Sequence, residues 1–289
     1  MKVGVIGLGR MGGGVCSNII KKGYDTTVYD VSDQAMQKYT GKAKLAASSE
    51  ELFKENDVTL LSLPGFPEVE ELTARFLKVG VNGKCVIDIS TSYPTSSRKI
   101  YNAFKAEGGE YLDAPLSGSP VAAAEGTLVV NVGGDEEVYE KYKGLISSFS
   151  KVSHYIGPSG GGNIVKLINN YLAIMYIGLY AEAFPIAEKM GFDVEKLFNI
   201  IADSSINCKN YQSTVPKMCI NKTFDPGFAL NFCLKDLSYF KMLYEEYKVP
   251  SFILEGGINM FKMGRHMGLG EKDSSEVVKV MYSYLGIDI

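Results

Sequence analysis

A lysine and an asparagine, Lys166 and Asn170, lie four residues apart near the start of an apolar segment that is predicted to be helical. Residues at this spacing share one face of a helix. A helix N-terminus carries partial positive charge, and apolar neighbours desolvate an ammonium, so both effects favour the neutral amine and bring the lysine pKa towards the working pH. Such a lysine can take and return a proton, while the amide of Asn170 holds a substrate oxygen or carboxylate. A surface lysine with a buried stem is the alternative interpretation of this segment alone.

A glycine-rich turn follows the first predicted strand and opens the first predicted helix. Its residues are Gly7, Leu8, Gly9, Arg10, Met11 and Gly12. Gly7 permits a tight turn, Gly9 lets the backbone approach a pyrophosphate, and Gly12 allows close helix packing. The phosphate charge would meet the helix N-terminus. The sequence therefore predicts dinucleotide binding here.

An acidic residue, Asp30, ends the second predicted strand eighteen positions after Gly12. A carboxylate at this spacing accepts hydrogen bonds from a free ribose 2′-hydroxyl and repels a 2′-phosphate. The next residue, Val31, supplies no guanidinium for such a phosphate. We expect NAD rather than NADP as the cofactor. The alternative is that Asp30 caps the turn that contains Ser32.

Short apolar runs alternate with amphipathic helical patterns in the N-terminal part of the chain, which is typical of a doubly wound parallel sheet of the Rossmann type. The predicted strands are residues 3–6, 26–29, 58–63, 85–89, 110–112, 128–132 and 152–156, and the predicted helices are 13–22, 49–54, 69–76, 96–107 and 136–148. After the glycines at 160–162 only helical patterns remain, broken at 191, 203–210, 221–227, 250 and 264–270. We expect a dinucleotide-binding domain over residues 1–161 and an all-helical domain for substrate and oligomerisation over residues 162–289.

Small loops follow three further strands. In an open parallel sheet a ligand lies beyond the carboxyl ends of the strands, so Leu63, Pro64 and Thr91 are expected to face the dinucleotide. In the third loop, the Ser117 hydroxyl and the N–H groups around Gly118 suit a carboxylate. Ordinary turn chemistry is the alternative for each loop taken singly.

Composition excludes several classes of function. The chain has 289 residues, a net charge of −3 and no basic tract, so neither nucleic acid nor an anionic membrane is an expected partner. Five scattered cysteines indicate reduced thiols in a cytoplasmic protein and no metal site. Polar residues interrupt the apolar segment 167–187, which favours a buried helix over a membrane span. The N-terminal residues read as a strand and not as an export signal.

The ordered set of motifs resembles the β-hydroxyacid dehydrogenase family, which contains 3-hydroxyisobutyrate dehydrogenase and tartronate semialdehyde reductase. The resemblance covers essentially the whole chain and is carried by residues 7–12, 63–64, 90–94, 113–118, 125–128, 160–170, 235–237 and 268–270. It implies a fold like that of 6-phosphogluconate dehydrogenase, with Lys166 as the catalytic acid/base. Asn170 and the Ser117–Gly118 loop would hold a substrate carboxylate, and Thr91 and Lys235 would contact the dinucleotide from opposite sides of the cleft.

The chain departs from the family at Ser119, where a second glycine is usual. The serine adds a Cβ and a hydroxyl where backbone normally approaches substrate, so it either narrows the pocket or donates an extra hydrogen bond.

The resemblance implies an NAD(P)-dependent oxidoreductase that interconverts a short 3-hydroxy acid and its semialdehyde, assembled as a homodimer or homotetramer. The alternatives are a reductase of tartronate semialdehyde, succinic semialdehyde or sulfolactaldehyde, an imine reductase, and an NAD-binding module without turnover.

Overall fold

A computed structural model, which describes residues 1–225 and 227–289, divides the chain into two compact units, Met1–Lys166 and Leu167–Ile289. The predicted boundary between residues 161 and 162 stays a prediction.

The first unit is built on a nine-stranded sheet. Its strands are β1 (Lys2–Ile6), β2 (Asp25–Tyr29), β3 (Lys44–Leu45), β4 (Val58–Leu61), β5 (Cys85–Asp88), β6 (Glu110–Asp113), β7 (Leu116–Ser117), β8 (Leu128–Gly133) and β9 (Ser150–Gly157). The strand order is β3-β2-β1-β4-β5-β6-β8-β7, with β9 paired to β8. All pairs from β3 to β6 are parallel, which confirms the predicted doubly wound sheet. β8 runs antiparallel to β6 and β7 and parallel to β9.

Helices cover both faces of this sheet. They are α1 (Gly12–Lys21), α2 (Asp33–Gln37), α3 (Ser49–Glu55), α4 (Phe66–Val79), α5 (Pro94–Ala106), α6 (Pro120–Glu125) and α7 (Glu136–Ile146). Neighbouring strand residues alternate between two cores: Val5 packs in the core that includes α1 and α7, whereas Ile6 packs in the core that includes α3, α4 and α5. Successive side chains of a strand point to opposite faces, so the sheet is buried on both sides.

Two short helices, α2 and α6, were not predicted, although each begins with a serine cap. The hydroxyl of Ser32 accepts from the N–H of Ala35, and that of Ser119 accepts from the N–H of Ala122. Pro120 then occupies the first turn of α6, where its missing N–H costs nothing. Both helices are too short to show the apolar periodicity on which the sequence prediction depended.

The second unit contains helices and no strand among its described residues. α8 (Gly161–Lys189) begins within the first unit, and α9 (Val194–Ala202), α10 (Lys209–Val215), α11 (Leu230–Glu246), α12 (Leu254–His266) and α13 (Val278–Leu285) follow. A π-helical turn, Pro216–Ile220, extends α10, and a 3-10 turn, Ser274–Val277, precedes α13. The helix breaks fall where they were predicted, except that residue 226, inside the predicted break at 221–227, lies outside the described residues.

Helix α8 has 29 residues and is long and apolar enough to cross a membrane, with 33% of its most apolar window buried. The core helix of a soluble protein passes the same test of length and composition but is mostly buried, so the predicted buried helix is not confirmed for the single chain. Asn169, Asn170 and Glu182 interrupt its apolar sequence, so length and apolarity alone do not make it a span.

Candidate active site

The predicted site residues of the first unit follow strands that end in one row across the sheet. Tyr29, Ile6, Leu61, Asp88 and Asp113 are paired in sequence from β2 to β6. The loops after these residues therefore emerge at one edge, the carboxyl edge, where ligands bind in open α/β sheets. This row brings together the glycine turn, Asp30, and the loops that carry Leu63, Pro64 and Thr91.

The glycine turn has the shape that a bound pyrophosphate needs. Gly7 has φ +91°, which a residue with a Cβ rarely adopts, and a Cβ at Gly12 would overlap the Gly7 carbonyl oxygen. A Cβ at Gly9, in contrast, would meet no described atom within 4 Å. Gly7 and Gly12 thus serve the turn and its packing, and Gly9 faces open space. Its flanking residue Arg10 is exposed, and Leu8 is buried beneath the turn.

The N-terminus of α1 completes this anion site. Among the described residues, no side chain caps the helix at Met11, and its first turn contains no acidic residue. The first N–H groups of a helix have no partner within the helix and favour negative charge. The residues present therefore fit the phosphates of a dinucleotide.

The Asp30 carboxylate is held by the backbone on both sides. Its Oδ2 accepts from the N–H of Leu8 at 2.6 Å, and its Oδ1 accepts from the N–H of Ser32 at 2.8 Å. The capping interaction with Ser32 is thus present, together with a bond that ties Asp30 to the glycine turn. Asp30 is half-buried, so its charge is fixed beside that turn.

The loops after β4 and β5 are bonded to each other. The N–H of Leu63 donates to the hydroxyl of Ser90 at 2.9 Å, next to the half-buried Thr91. Asp88, which is fully buried, accepts from the N–H of Ser90 and the hydroxyl of Ser92, both at 2.9 Å. Burial raises the pKa of Asp88, and these hydrogen bonds oppose the shift. Pro64 is exposed at the same edge.

The predicted substrate loop has a local structure that the sequence did not reveal. Gly118 has φ +140°, and a Cβ there would come within 2.8 Å of the Leu128 side chain. Ser117 ends β7 and is half-buried, whereas Gly118 and Ser119 are exposed. Because the hydroxyl of Ser119 accepts from the N–H of Ala122 at 3.2 Å, this serine caps α6 and keeps its own proton available as a donor.

The helix after this loop is attached to α1. The side-chain amide of Asn18 donates to the carbonyl oxygens of Ala123 at 2.8 Å and Ala124 at 3.1 Å. Asn18 therefore links the helix of the glycine turn to the helix that follows Ser117 and Gly118. Asn18 was not singled out from the sequence, because nothing local in it points to a partner more than a hundred residues away.

Lys166 lies half-buried in the first turns of α8, and a carboxylate from another element caps this helix. Asp113, at the end of β6, accepts from the N–H groups of Gly160 at 2.7 Å and Asn163 at 3.0 Å, and from the Ser159 hydroxyl at 3.2 Å. Burial raises the pKa of Asp113 to about 6, and the hydrogen bonds from Gly160 and Asn163 oppose this shift. The helix dipole and desolvation both favour the neutral amine of Lys166, but Asp113, which the sequence did not place here, adds a negative charge at the same helix end.

The predicted residues of the second unit meet at Asp236 on α11. Asn170, which is 9% exposed, donates its side-chain amide to Asp236 Oδ2 at 2.6 Å. The Nζ of Lys235 lies 3.4 Å from Asp236 Oδ1 and 5.2 Å from the ring centre of Tyr239. One carboxylate, 2% exposed, therefore orients both residues. Asp236 belongs to the Lys-Asp-Leu motif at 235–237, in which only Lys235 was predicted to have a role.

Comparison with known proteins identifies the family to which this chain belongs. Residues 2–157 match the family described as the NAD binding domain of 6-phosphogluconate dehydrogenase. Residues 160–281 match the family described as NAD-binding of NADP-dependent 3-hydroxyisobutyrate dehydrogenase. The chain belongs to the β-hydroxyacid dehydrogenase family. The predicted fold and the predicted enzyme class, an NAD(P)-dependent oxidoreductase of hydroxy acids, are thereby confirmed.

Individual β-hydroxyacid dehydrogenases match over almost their whole length. The chain is 30% identical to 2-(hydroxymethyl)glutarate dehydrogenase of Eubacterium barkeri, covering 100% of this chain and 97% of that protein. It is 31% identical to the mitochondrial 3-hydroxyisobutyrate dehydrogenase of Drosophila melanogaster, covering 96% and 89%. The structure of Mycobacterium tuberculosis 3-hydroxyisobutyrate dehydrogenase with L-serine is similar with a TM-score of 0.89 at 25% identity, covering 97% and 98%.

Proposed function

We propose that this β-hydroxyacid dehydrogenase interconverts a short 3-hydroxy acid and its semialdehyde, with Lys166 as the general acid/base. The observation that carries the proposal is the attachment of the Lys166 helix to the carboxyl edge of the sheet. Asn163, three residues before Lys166, accepts from the N–H of Ser92, next to Thr91. The proton-transfer group is thus anchored to the edge at which the dinucleotide fits.

The proton chemistry follows from the two charge states of one amine. In oxidation, neutral Lys166 removes the proton of the substrate hydroxyl; in reduction, the ammonium returns a proton to the forming alkoxide. The dinucleotide, when bound, supplies the hydride-transfer chemistry. The same residue acts in both directions because each step is the reverse of the other.

The substrate carboxylate is assigned to two groups of donors. Ser117 and the N–H groups around Gly118 form one group, and the amide of Asn170 forms the other. Asp236 uses one N–H of that amide, so the second N–H remains for the substrate. The exposed Ser119 hydroxyl can donate to an additional oxygen, which favours acids that carry one.

NAD is proposed as the cofactor in preference to NADP. The Asp30 carboxylate is fixed beside the glycine turn by Leu8 and Ser32 and disfavours a 2′-phosphate. Residues 7–12, Leu63, Pro64 and Thr91 are assigned to dinucleotide binding, as is Lys235. Residues 1–161 are assigned to the dinucleotide-binding domain and residues 162–289 to the helical domain.

A homodimer or homotetramer in the cytoplasm is the proposed state of the enzyme. Large apolar side chains on α8 are exposed by 42–53%, namely Ile168, Leu172, Tyr176, Leu179 and Ile186. Their spacing of three, four or seven residues places them on one face of the helix. A contiguous exposed apolar face is typical of a protein interface. Five free thiols, four of them buried, suit a reducing compartment.

The first test combines a substrate panel with a lysine variant. The hydroxy acids are 3-hydroxyisobutyrate, 3-hydroxypropionate, 2-(hydroxymethyl)glutarate and L-serine; the aldehydes are tartronate semialdehyde, succinic semialdehyde, glyoxylate and sulfolactaldehyde. Nicotinamide absorbance is followed with NAD and NADP for the hydroxy acids and with NADH and NADPH for the aldehydes. On the best substrate, Lys166→Ala is expected to lower kcat by about a hundred- to ten-thousand-fold, because the proton acceptor is lost, while NAD affinity changes by about threefold or less.

Lys189→Ala, at the other end of the same helix, is the matched control and should retain normal turnover. Near-normal turnover in Lys166→Ala would show that another group moves the proton. No turnover on any acid or aldehyde, with NAD still bound, would favour the binding module.

A further inference from the structure

The N-terminus of α8 is fixed from outside the helix. Asp113 contributes both carboxylate oxygens: Oδ1 accepts from Gly160 and Ser159, and Oδ2 accepts from Asn163. Asp113 is 0% exposed. A buried carboxylate that accepts two backbone N–H groups at a helix N-terminus both fixes the backbone and opposes the helix dipole.

Asn163 joins this turn to two further elements. It is 0% exposed, its Oδ1 accepts from the N–H of Ser92 at 2.8 Å, and its Nδ2 donates to the hydroxyl of Ser97 on α5 at 3.1 Å. Ser92 lies in the loop after β5, and Asp88 also holds this loop by accepting from the N–H of Ser90 and the hydroxyl of Ser92. The residue between these two serines is Thr91.

Close packing leaves this junction little freedom. A Cβ at Gly162 would lie 2.6 Å from the Asp113 carbonyl oxygen, and it would also overlap the carbonyl oxygen of Asn131. These contacts are with backbone atoms, which cannot rotate away. The first turn of α8 therefore has one position relative to β6 and β8.

We propose that Asp113 and Asn163 are positioning residues for Lys166: they fix the first turn of α8 against the loop that carries Thr91, and the Asp113 charge stabilises the ammonium form of Lys166. Lys166 follows Asn163 by three residues, about one helical turn, and helical side chains lean back towards the N-terminus. The inference rests on the proposed acid/base role of Lys166.

Asp113 stabilises the ammonium of Lys166 only while its own carboxyl group is ionised. Because burial raises the pKa of Asp113 to about 6, the carboxylate is ionised at neutral and alkaline pH and becomes protonated as the pH falls through 6. Among the described residues, titratable or charged groups near Asp113 include Asp88 on β5, Tyr111 on β6, and Arg98 on α5, which donates to the carbonyl oxygen of Ser159.

The test is Asp113→Asn in the full-length enzyme, assayed in the oxidative direction with NAD and the best hydroxy acid of the panel. The amide places an N–H₂ donor where the carboxylate accepted, so the helix turn shifts and kcat is expected to fall by about tenfold or more. Loss of the negative charge disfavours the ammonium, so the midpoint of the kcat–pH profile is expected to move to lower pH by about 0.5 to 1 unit.

Asp273→Asn is the matched control. Asp273 is 4% exposed and accepts from the N–H groups of Gly227, Phe228 and Ser275, so the variant also removes a buried, backbone-bound charge. It should lower the thermal midpoint without moving the pH profile. An Asp113→Asn enzyme that folds and has an unshifted profile would overturn the inference.

Ser159→Ala covers the case in which Asp113→Asn does not fold. This variant keeps the Asp113 carboxylate but removes the Ser159 hydroxyl that donates to it. Loss of this donor should raise the pKa of Asp113 further. Turnover is measured in the reductive direction, with NADH and the matching semialdehyde, as the pH is lowered. The midpoint of its loss on the acidic side should lie a few tenths of a pH unit higher than in the parent enzyme. If Ser159→Ala and the parent enzyme lost turnover at the same acidic pH, the inference would be overturned.

Lys166→Ala separates the two proposals. Normal turnover in Lys166→Ala would overturn the proposed acid/base role of Lys166 and this inference with it. Loss of turnover in Lys166→Ala, together with an unshifted profile in Asp113→Asn, would overturn only the positioning role.

Discussion

At the scale of single residues, three buried carboxylates hold the proposed site residues in place. Asp88 orders the loop around Thr91, Asp113 caps the helix of Lys166, and Asp236 orients Asn170. A buried carboxylate is costly unless donors surround it, so each is fixed by its hydrogen bonds. In the proposed site, these carboxylates prearrange groups that would otherwise have to be ordered when substrate binds.

Asp30 is the residue on which the choice of cofactor is expected to depend. In Asp30→Ala the 2′-hydroxyl of NAD loses its acceptor and the repulsion of a 2′-phosphate is removed. We expect kcat/KM with NAD to fall by about tenfold or more, and the ratio of kcat/KM for NADP to that for NAD to rise by at least about tenfold. The kcat/KM values for NAD and NADP are measured with the same hydroxy acid.

Asp25→Ala is the control for this prediction, because Asp25 is an exposed carboxylate at the other end of the same strand. It changes the net charge equally and should leave the cofactor ratio unchanged. If Asp30→Ala behaved like Asp25→Ala, the NAD preference would have to come from another residue.

At the scale of elements, the packing of α8 against the sheet explains the glycines at its start. The helix enters between the carbonyl oxygens of Asn131 and Asp113, where a Cβ at Gly162 does not fit. The close approach allows the Asp113 carboxylate to reach the N–H groups of Gly160 and Asn163. The glycine run before Lys166 is therefore a packing feature of the element that carries the lysine.

Gly162→Ala tests this packing. The added methyl group forces backbone apart, so we expect a loss of about 1–3 kcal/mol in the free energy of unfolding, measured by denaturant titration, and a lower kcat. Gly256→Ala, near the start of α12, is the matched control, because its Cβ would meet no described atom within 4 Å. Since alanine favours helix, this control should be neutral or stabilising by up to about 1 kcal/mol. Equal stability of the two variants would contradict the packing argument.

At the scale of the whole molecule, the exposed apolar face of α8 is the feature that one chain leaves uncovered. Substituting both Leu172 and Leu179 with Glu places two charges in the proposed interface, where desolvation would be costly. We expect the mass measured by light scattering to fall from an oligomer to that of a single chain, 31.6 kDa.

Lys196→Glu, an exposed change on α9, alters the net charge by the same two units and should leave the oligomer intact. A parent enzyme that is already monomeric, or a double variant that keeps the parent mass, would contradict an interface through α8.

Much of the fold was predictable because its signals are local. Strand and helix periodicity gave seven of the nine strands, and the row in which they end follows from parallel pairing. The two missed strands, β3 and β7, have two residues each, too few for a period to be seen. The antiparallel course of β8 was not predicted, because strand direction depends on partners distant in the chain.

The amino-acid sequence by itself determined the family and the order of the elements, and it indicated the residues proposed for proton transfer and dinucleotide binding, because these are carried by short motifs with fixed spacing. Only the tertiary structure decided that Asp113 caps the Lys166 helix, that Asn163 joins it to the loop of Thr91, and that Asp236 orients Asn170. These bonds join residues between 50 and 71 positions apart. Such partners are chosen by the burial of polar groups that must find a donor or acceptor, and no local pattern records that choice.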